Sequence, residues 1–197
     1  MKVVLASQNR HKLAEIQAIL DKYDMELVLQ SDLGVHIDVE ETGTTFEENS
    51  ELKARAVMEA TGLPAIADDS GLCVDVLGGA PGIYSARYGA PECVTDWDRL
   101  NFLLENLRGV RSEERTARFV CVITLLYPEG RKLVARGTCE GMIAYEPCGE
   151  DGFGYDPIFY LPDRKLYSAE LDPEEKNRIS HRGRALKRMK AILSDKL

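Results

Sequence analysis

The longest apolar run of the chain, Phe119–Tyr127, reaches only about half the length of a membrane span. It ends at the turn-forming segment Pro128-Glu129-Gly130, and a second strand-like segment, Lys132–Cys139, follows. The two segments therefore predict an antiparallel hairpin rather than a membrane helix. Elsewhere, short apolar segments alternate with segments whose apolar residues recur at helical spacing. This combination predicts an α/β protein with a mixed β-sheet and helices on its faces.

Several residues that start or stop regular structure divide the rest of the chain. A strand at Val3–Ala6 precedes a helix whose apolar residues begin at Leu13. The segment Asp68-Asp69-Ser70-Gly71 is predicted to form a turn between two strands. Strands are predicted at Leu27–Leu29, Val35–Val39, Ala65–Ala67 and Leu72–Leu77. Helices are predicted after Thr45, Thr95, Asp172 and Ser180, and the first of them is predicted to end near Ala60, before Pro64.

Composition limits the class of protein. The 197 residues include 25 basic and 33 acidic side chains, and the resulting net charge of −8 argues against a general nucleic-acid coat. A hydrophobic fraction of 44% with 29% charged residues is typical of a folded chain, here one domain over residues 1–197. The five cysteines include no C-x-x-C pair, which predicts reduced thiols. With no signal peptide or membrane span, we expect a cytoplasmic protein with neither nucleic acid nor membrane as a partner.

A polar segment lies between the first strand and the first helix. It consists of Ser7, Gln8, Asn9, Arg10, His11 and Lys12. Free N–H groups at a helix start, combined with hydroxyl, amide and cationic side chains, form a natural site for phosphate. The same residues also fit a capped helix with a solvated basic turn, because no Walker-type glycine motif is present.

Acidic residues form a second candidate site. Glu40 and Glu41 precede a glycine, and Asp68 and Asp69 follow an apolar strand. Carboxylates are the ligands that Mg²⁺ prefers, and charges beside core strands are costly unless a metal or a cation offsets them. A structural turn, with one side chain bonded to the backbone, is the alternative. We favour that alternative for Asp68 and a functional role for Asp69.

An aromatic loop and a basic cluster complete the candidates. In Gly152-Phe153-Gly154-Tyr155-Asp156-Pro157, glycines on both sides of Phe153 allow an aromatic face to stack on a flat ligand, although such aromatics also fill cores. The donor-rich segment Lys176–Gly183 suits ketone or phosphate oxygens, or it is a solvated helix cap. Lys53 shares a helical face with Asn49, and either a cleft or the surface would accommodate it.

These motifs together resemble the inosine triphosphate pyrophosphatase family, the non-canonical purine NTP pyrophosphatases, from residue 3 to about 190. The resemblance is carried by Ser7-x-Asn9-x-x-Lys12, Glu40-Glu41-Thr42-Gly43, Glu48-Asn49, Lys53-Ala54, Ala67-Asp68-Asp69-Ser70-Gly71-Leu72, Gly78-Gly79-Ala80-Pro81-Gly82-Ile83-Tyr84-Ser85-Ala86-Arg87, Phe153-Gly154-Tyr155-Asp156-Pro157 and Ser180-His181-Arg182-Gly183. Ser7 stands where many members have Thr, and Gln8 stands where Gly is frequent.

The resemblance implies Mg²⁺-dependent hydrolysis of ITP, dITP and XTP to the monophosphate and pyrophosphate. It also implies a homodimer and a long mixed sheet in two lobes with an active-site cleft between them. Phosphate binding is implied for Ser7, Gln8, Asn9, Arg10, His11, Lys12 and Lys53. Metal binding is implied for Glu40 and Asp69, a general-base role for Asp69 and a substrate contact for Ser70. Base stacking and ribose-side contacts are implied for Phe153, Gly154, Tyr155 and Asp156, and base reading for Lys176, His181 and Arg182.

Two other functions compete with this prediction. A Maf-like nucleotide pyrophosphatase acting on other modified nucleotides would share the general architecture, but the Phe153–Asp156 and Ser180–Arg182 motifs weigh against it. A non-catalytic nucleotide-binding module could use the same basic and aromatic loops. Such a module has no need of the acidic pair Glu40 and Asp69, and the negative net charge disfavours RNA as its ligand.

Overall fold

The computed structural model describes residues 1–7, 12–13, 16–17, 20–149 and 152–196. Within them lies a seven-stranded sheet of order β2-β1-β3-β4-β5-β6-β7. The strands are β1 (Lys2–Leu5), β2 (Glu26–Leu29), β3 (Ala65–Val74), β4 (Thr116–Leu126), β5 (Lys132–Ile143), β6 (Phe159–Leu161) and β7 (Leu166–Tyr167). β1 pairs in parallel with β2 and β3, whereas β6 pairs antiparallel with β5 and β7. The predicted α/β class with a mixed sheet is therefore confirmed.

Four α-helices have bounds within the described residues. They are α1 (Phe46–Thr61), α2 (Asp96–Asn106), α3 (Pro173–Ile179) and α4 (His181–Lys196). Short 3₁₀ helices occur at Asp21–Tyr23, Gln30–Leu33, Asp75–Leu77, Gly82–Arg87, Ser112–Glu114, Asp156–Ile158 and Ser168–Glu170. Lys12, Leu13, Ile16, Gln17 and Leu20 are also helical, in agreement with the first predicted helix, whose other residues lie outside the described ones.

Side chains at the helix ends explain where the helices begin and stop. The Thr45 hydroxyl accepts the Glu48 N–H at 3.1 Å, and the Asp172 carboxylate accepts the Glu175 N–H at 2.9 Å. α1 ends at Gly62, whose φ of +67° is in the left-handed region that favours glycine. The predicted hairpin turn is also present, since the Gly130 N–H donates to the Tyr127 carbonyl at 2.9 Å.

The predicted strand at Val35–Val39 is wrong, because this segment has no regular structure. Its backbone is bonded instead by a side chain. The Gln30 amide donates to the Ile37 carbonyl at 3.1 Å and accepts the Ile37 N–H at 3.4 Å. A segment whose polar groups are satisfied by a side chain does not need a strand partner.

The predicted turn at Asp68-Asp69-Ser70-Gly71 is also wrong, because β3 runs through all four residues. Successive residues of a strand point to opposite faces, so the two aspartates meet different partners. Lys12 Nζ lies 2.7 Å from an Asp68 oxygen, and Lys53 Nζ lies 2.8 Å from an Asp69 oxygen. The two ammonium groups offset the buried carboxylates, and the structural turn favoured for Asp68 is absent.

The chain divides into two compact units, and the divisions fall within β3, β4, β5 and α4. Unit 1 comprises Met1–Asp69, Cys121–Gly137 and Arg184–Leu197, and unit 2 comprises Ser70–Val120 and Thr138–Gly183. The core of unit 1 includes Val3, Leu5, Ile66, Ile123, Ala185, Met189 and Leu193. The core of unit 2 includes Leu72, Leu100, Leu103, Leu107, Ile143, Ile158 and Phe159. Each unit therefore buries a hydrophobic cluster of its own.

Two further expectations concern the cysteines and membrane-spanning helices. All five cysteines are thiols in the structure, as the sequence predicts. Among the described residues, no helix is long and apolar enough to cross a membrane.

Candidate active site

Lys53 of α1 lies between two carboxylates in unit 1. Its Nζ is 2.8 Å from Glu41 Oε1 and 2.8 Å from Asp69 Oδ1. Burial lowers the pKa of Lys53, but the charges and hydrogen bonds of Asp69 and Glu41 outweigh it, and the Lys53 pKa is raised. Lys53 is therefore a fixed cation within an acidic pocket rather than a solvated surface lysine.

Asp69 is buried, and one of its two carboxylate oxygens has no hydrogen-bond partner among the described residues. Its side chain is 8% exposed, and Oδ2 accepts no hydrogen bond from the described residues. Burial raises the pKa of Asp69, Lys53 lowers it, and the nearby Glu41 and Asp68 carboxylates raise it further, with a net increase. A buried carboxylate oxygen without a partner is costly, so this position suits a proton, a water molecule or a cation.

The residues around Asp69 fit a magnesium ion that is completed by substrate. No group of three or more His, Cys, Asp or Glu residues in the described part of the chain has an arrangement that could hold a metal. Mg²⁺, however, usually takes only one or two protein carboxylates and fills its remaining positions with phosphates and water. Asp69 and Glu41 could supply those two carboxylates.

Glu41 is the acidic residue that the structure brings to Lys53 and Asp69. Glu40, the neighbouring residue for which the family resemblance implies metal binding, is exposed. α1 holds the segment around Glu41 in place. The buried Asn49 side chain accepts the Gly43 N–H at 2.8 Å, and a Cβ on Gly43 would lie 2.6 Å from the same Asn49 oxygen. Gly43 is therefore needed for close approach to α1. The sequence shows the acidic pair, but not which member faces the lysine.

The predicted phosphate loop is described only at its two ends. Ser7 is half-buried directly after β1, and Lys12 is bonded to Asp68, which is 2% exposed in its side chain. The predictions for Gln8, Asn9, Arg10 and His11 fall outside the described residues. Lys12 is therefore held at a fixed position by a buried carboxylate before any phosphate binds.

The aromatic loop, Phe153–Asp156, is held by its own carboxylate in unit 2. Asp156 Oδ2 accepts the Phe153 N–H at 3.0 Å and the Lys176 ammonium at 2.7 Å. Asp156 Oδ1 accepts the Ser168 hydroxyl at 2.7 Å. Phe153 is 66% exposed, so it is not the core residue that the alternative interpretation required. Asp156 therefore orients Lys176 and the backbone that carries Phe153.

Tyr155 has a different role from its neighbours in the loop. Its side chain is buried, and its hydroxyl donates to the Ser85 carbonyl at 2.9 Å. Burial is the main reason why the pKa of Tyr155 is far above its usual range. Tyr155 anchors the loop in the core of unit 2, so the ligand contact implied for it would have to come from its backbone.

The glycines of the loop are required for two different reasons. A Cβ on Gly152 would lie 2.5 Å from Asp156 Oδ2 and 2.8 Å from Lys176 Nζ, so this backbone must approach the ion pair closely. Gly154 has open space at its Cβ position, but its φ of +61° is in the left-handed region. The sequence motif therefore encodes both a close contact and a turn.

Three of the predicted base-side residues line one pocket of unit 2. They are Asp156, Lys176 and His181, and Phe119 lies beside them. The rings of Phe119 and His181 are stacked, with centroids 5.0 Å apart and an interplanar angle of 18°. Arg182 is half-buried and does not line this pocket, and Ser70 is half-buried in β3. Phe119 also packs against the hydrophobic cluster of unit 2, with its ring centroid 4.5 Å from that of Phe159, as its apolar neighbours in β4 indicate.

The model of the Ham1 family matches residues 3–192. The chain belongs to the Ham1 family. This Ham1 protein is 48% identical over 197 residues to a dITP/XTP pyrophosphatase of Coxiella burnetii (strain RSA 493 / Nine Mile phase I), with 99% of this chain and 98% of that protein covered. It is 53% identical over 188 residues to a dITP/XTP pyrophosphatase of Escherichia coli (strain K12), with 94% of each chain covered.

The fold of this Ham1 protein is also found among solved structures. A HAM1 protein from Coxiella burnetii superposes with a TM-score of 0.93 at 47% identity, covering 99% of each chain. The sequence and structure comparisons agree, so the family resemblance drawn from the motifs is confirmed.

The raised pKa of Asp69 predicts how the stability of the metal-free Ham1 protein depends on pH. A carboxyl group whose pKa is higher in the folded than in the unfolded state stabilises the protein fully at pH values below its unfolded-state pKa of 3.8. This contribution is lost as the pH rises through the folded-state pKa. Replacing Asp69 by Asn removes this titration. We therefore expect the stability of the variant, relative to the wild type, to increase between about pH 4 and pH 7.

Urea unfolding in the presence of a chelator at both pH values measures this difference. Asp163→Asn, at an exposed position, is the control for loss of an ordinary carboxylate. A difference between wild type and Asp69→Asn that stays constant over this range would contradict the raised pKa.

Proposed function

We propose that this chain hydrolyses non-canonical purine nucleoside triphosphates, namely ITP, dITP and XTP, to the monophosphate and pyrophosphate. The observation that supports it best is the buried Asp69 oxygen beside Lys53 that has no hydrogen-bond partner among the described residues. The chain is also about half identical in sequence to proteins named dITP/XTP pyrophosphatase. A buried carboxylate with a raised pKa is typical of catalytic sites, which favours an enzyme over a non-catalytic nucleotide-binding module.

The chemical step needs a water molecule to attack the α-phosphorus, with pyrophosphate as the leaving group. Asp69 Oδ2 is the proposed acceptor of the proton of that water, since Oδ1 is already bonded to Lys53. A raised pKa makes a carboxylate a better base at neutral pH than an exposed aspartate. Lys53 and Lys12 are proposed to stabilise the negative charge of the phosphate chain.

Magnesium is the cofactor we propose, with Asp69 and Glu41 as the protein carboxylates that would hold it. Glu40, for which the family resemblance implies metal binding, is the alternative to Glu41 and is to be tested beside it. When bound, Mg²⁺ neutralises phosphate charge and lowers the pKa of water. Lys53 bridges Glu41 and Asp69 and thereby keeps both carboxylates at fixed positions.

Selection of the base is proposed to depend on donors in unit 2. Hypoxanthine and xanthine carry a 6-keto acceptor, whereas adenine carries a 6-amino donor. Lys176 can only donate, and His181 has at least one N–H. Together with Arg182, they would match the keto group and oppose the amino group, so ATP is expected to be a poor substrate.

The homodimer is proposed on the family resemblance alone, and the cytoplasmic location on the reduced thiols that the cysteine spacing predicts. Light scattering of the purified protein and cell fractionation would test them separately from the reaction.

A panel of ITP, dITP, XTP, GTP and ATP with Mg²⁺ tests the proposed reaction. We expect pyrophosphate as the first product, with ITP, dITP and XTP hydrolysed at least about a hundredfold more efficiently than ATP. Pyrophosphate and orthophosphate are quantified separately at early times. Orthophosphate as the first product, or equal rates for ATP and ITP, would contradict the proposal.

A further inference from the structure

We propose that Asp96, in the first turn of α2, is a positioning residue that fixes the direction of the Phe153 ring. The inference rests on the proposed function, in which Phe153 stacks on the purine. Asp96 Oδ2 accepts the Gly154 N–H at 3.0 Å, which joins α2 to the aromatic loop within unit 2.

The two backbone amides that flank the Phe153 side chain are both held by carboxylates. The Phe153 N–H donates to Asp156 Oδ2 at 3.0 Å, and the next amide, that of Gly154, donates to Asp96. These amides belong to the peptide planes before and after the Phe153 Cα. Fixing both planes fixes the direction of the Cα–Cβ bond, and hence the cone within which the ring can turn.

Packing does little to hold the ring, so the backbone bonds carry this task. Phe153 is 66% exposed, and the Lys176 ammonium lies 5.5 Å from the centroid of its ring. One of the two carboxylates, Asp156, belongs to the loop itself. Asp96 is therefore the anchor that ties Phe153 to a different element of secondary structure.

Asp96 is not needed to cap α2. The Thr95 hydroxyl accepts the Asp98 N–H at 3.1 Å, and the Asp98 carboxylate accepts the Thr95 N–H at 2.7 Å in return. Asp96 instead pairs with Arg99 at 2.7 Å, and this hydrogen bond, together with that of Gly154, lowers the pKa of Asp96. The anchor is thus an ionised acceptor, and a charge-assisted hydrogen bond is stronger than a neutral one in the same surroundings.

The adjacent acidic residues of α2 provide a matched pair of variants. Asp96→Ala removes the bond to Gly154, while Asp98→Ala removes the capping box in the same turn and leaves the loop contact intact. Asp96→Asn keeps an oxygen that can accept the Gly154 N–H. Phe153→Ala shows the effect of losing the ring altogether.

Hydrogen–deuterium exchange of the loop and ITP kinetics are measured on all four variants and the wild type. For Asp96→Ala, we expect loop amides to exchange about tenfold faster and KM for ITP to rise about five- to tenfold, with kcat changed less than about twofold. Asp98→Ala is expected to leave both quantities within about twofold of the wild type, and Asp96→Asn within about threefold. Phe153→Ala should raise KM at least as much as Asp96→Ala.

Each other outcome overturns a distinct statement. Equal effects of Asp96→Ala and Asp98→Ala on exchange and KM would reduce Asp96 to a stabilising residue of α2. Faster loop exchange with an unchanged KM would separate Asp96 from substrate binding and overturn the positioning role. Failure of the wild type to hydrolyse ITP would overturn the proposed function, while the exchange comparison still decides whether Asp96 holds the loop.

Discussion

Replacing Asp69 by Asn is expected to lower kcat for ITP by at least about a thousandfold. Asn keeps an oxygen for the Lys53 ammonium, so the shape and the cation of the site are retained. The variant loses the second carboxylate oxygen, which is the proposed proton acceptor. It also loses the negative charge that would attract a metal ion. Binding of ITP, measured by calorimetry without turnover, is expected to stay within about threefold of the wild type.

Asp68→Asn is the matched control, because it makes the same chemical change one residue away on the opposite face of β3. The Asp68 carboxylate is bonded to Lys12, a predicted phosphate ligand, so its loss should raise KM for ITP more than it lowers kcat. Undiminished turnover by Asp69→Asn, or an equal loss of kcat in both variants, would remove Asp69 from the proposed proton transfer.

Replacing Gly183 by Ala is expected to destabilise the protein by about 2–3 kcal/mol, although alanine normally favours a helix. Gly183 lies in the first turn of α4, where a Cβ would overlap the Asn177 carbonyl oxygen of α3. The two helices must then separate. Since α3 carries Lys176 and α4 begins at His181, KM for ITP should also rise.

Urea unfolding and ITP kinetics measure these two effects. Lys187→Ala, at an exposed position of α4, is the control and should change stability by less than about 0.5 kcal/mol. A Gly183→Ala protein as stable as the wild type would show that α3 and α4 can separate without cost. The Gly of the Ser180–Gly183 motif would then have no packing function.

Local signals predicted the helices well, because the residues that end a helix act on atoms within one turn. Thr45, Thr95 and Asp172 each accept an N–H three residues later, as their types and spacing predict. Gly62 ends α1 two residues before Pro64 for an equally local reason, its left-handed φ. Such boundaries depend on short-range chemistry that the sequence displays directly.

The course of β3 could not be predicted in the same way. Asp-Asp-Ser-Gly has the composition of a turn, and its continuation as a strand depends on two lysines that approach from elsewhere in the chain. Lys12 is 56 residues from Asp68, and Lys53 is 16 residues from Asp69. Tertiary contacts at these separations override local turn propensity.

The site shows the same division between residue types and their placement. Chemistry and resemblance predict roles for Asp69, Lys53 and Lys176, and the structure holds each of them in an ion pair. The choice between Glu40 and Glu41 depends on how the irregular segment around Glu41 is held against α1. The contact of Asp96 depends on a loop residue, Gly154, that is 58 residues away in the chain. Neither relation leaves a periodic signal in the sequence.

The three-part composition of unit 1 has a consequence for how the protein is made. Its hydrophobic cluster joins the first strand to residues of the final helix, such as Ala185 and Leu193. That helix is synthesised long after the first strand, so the apolar surface of unit 1 stays uncovered until both segments are present. Contacts spanning nearly the whole polypeptide also slow the search for the native state. Truncations at the carboxyl end are therefore expected to be recovered in inclusion bodies rather than as shortened enzymes.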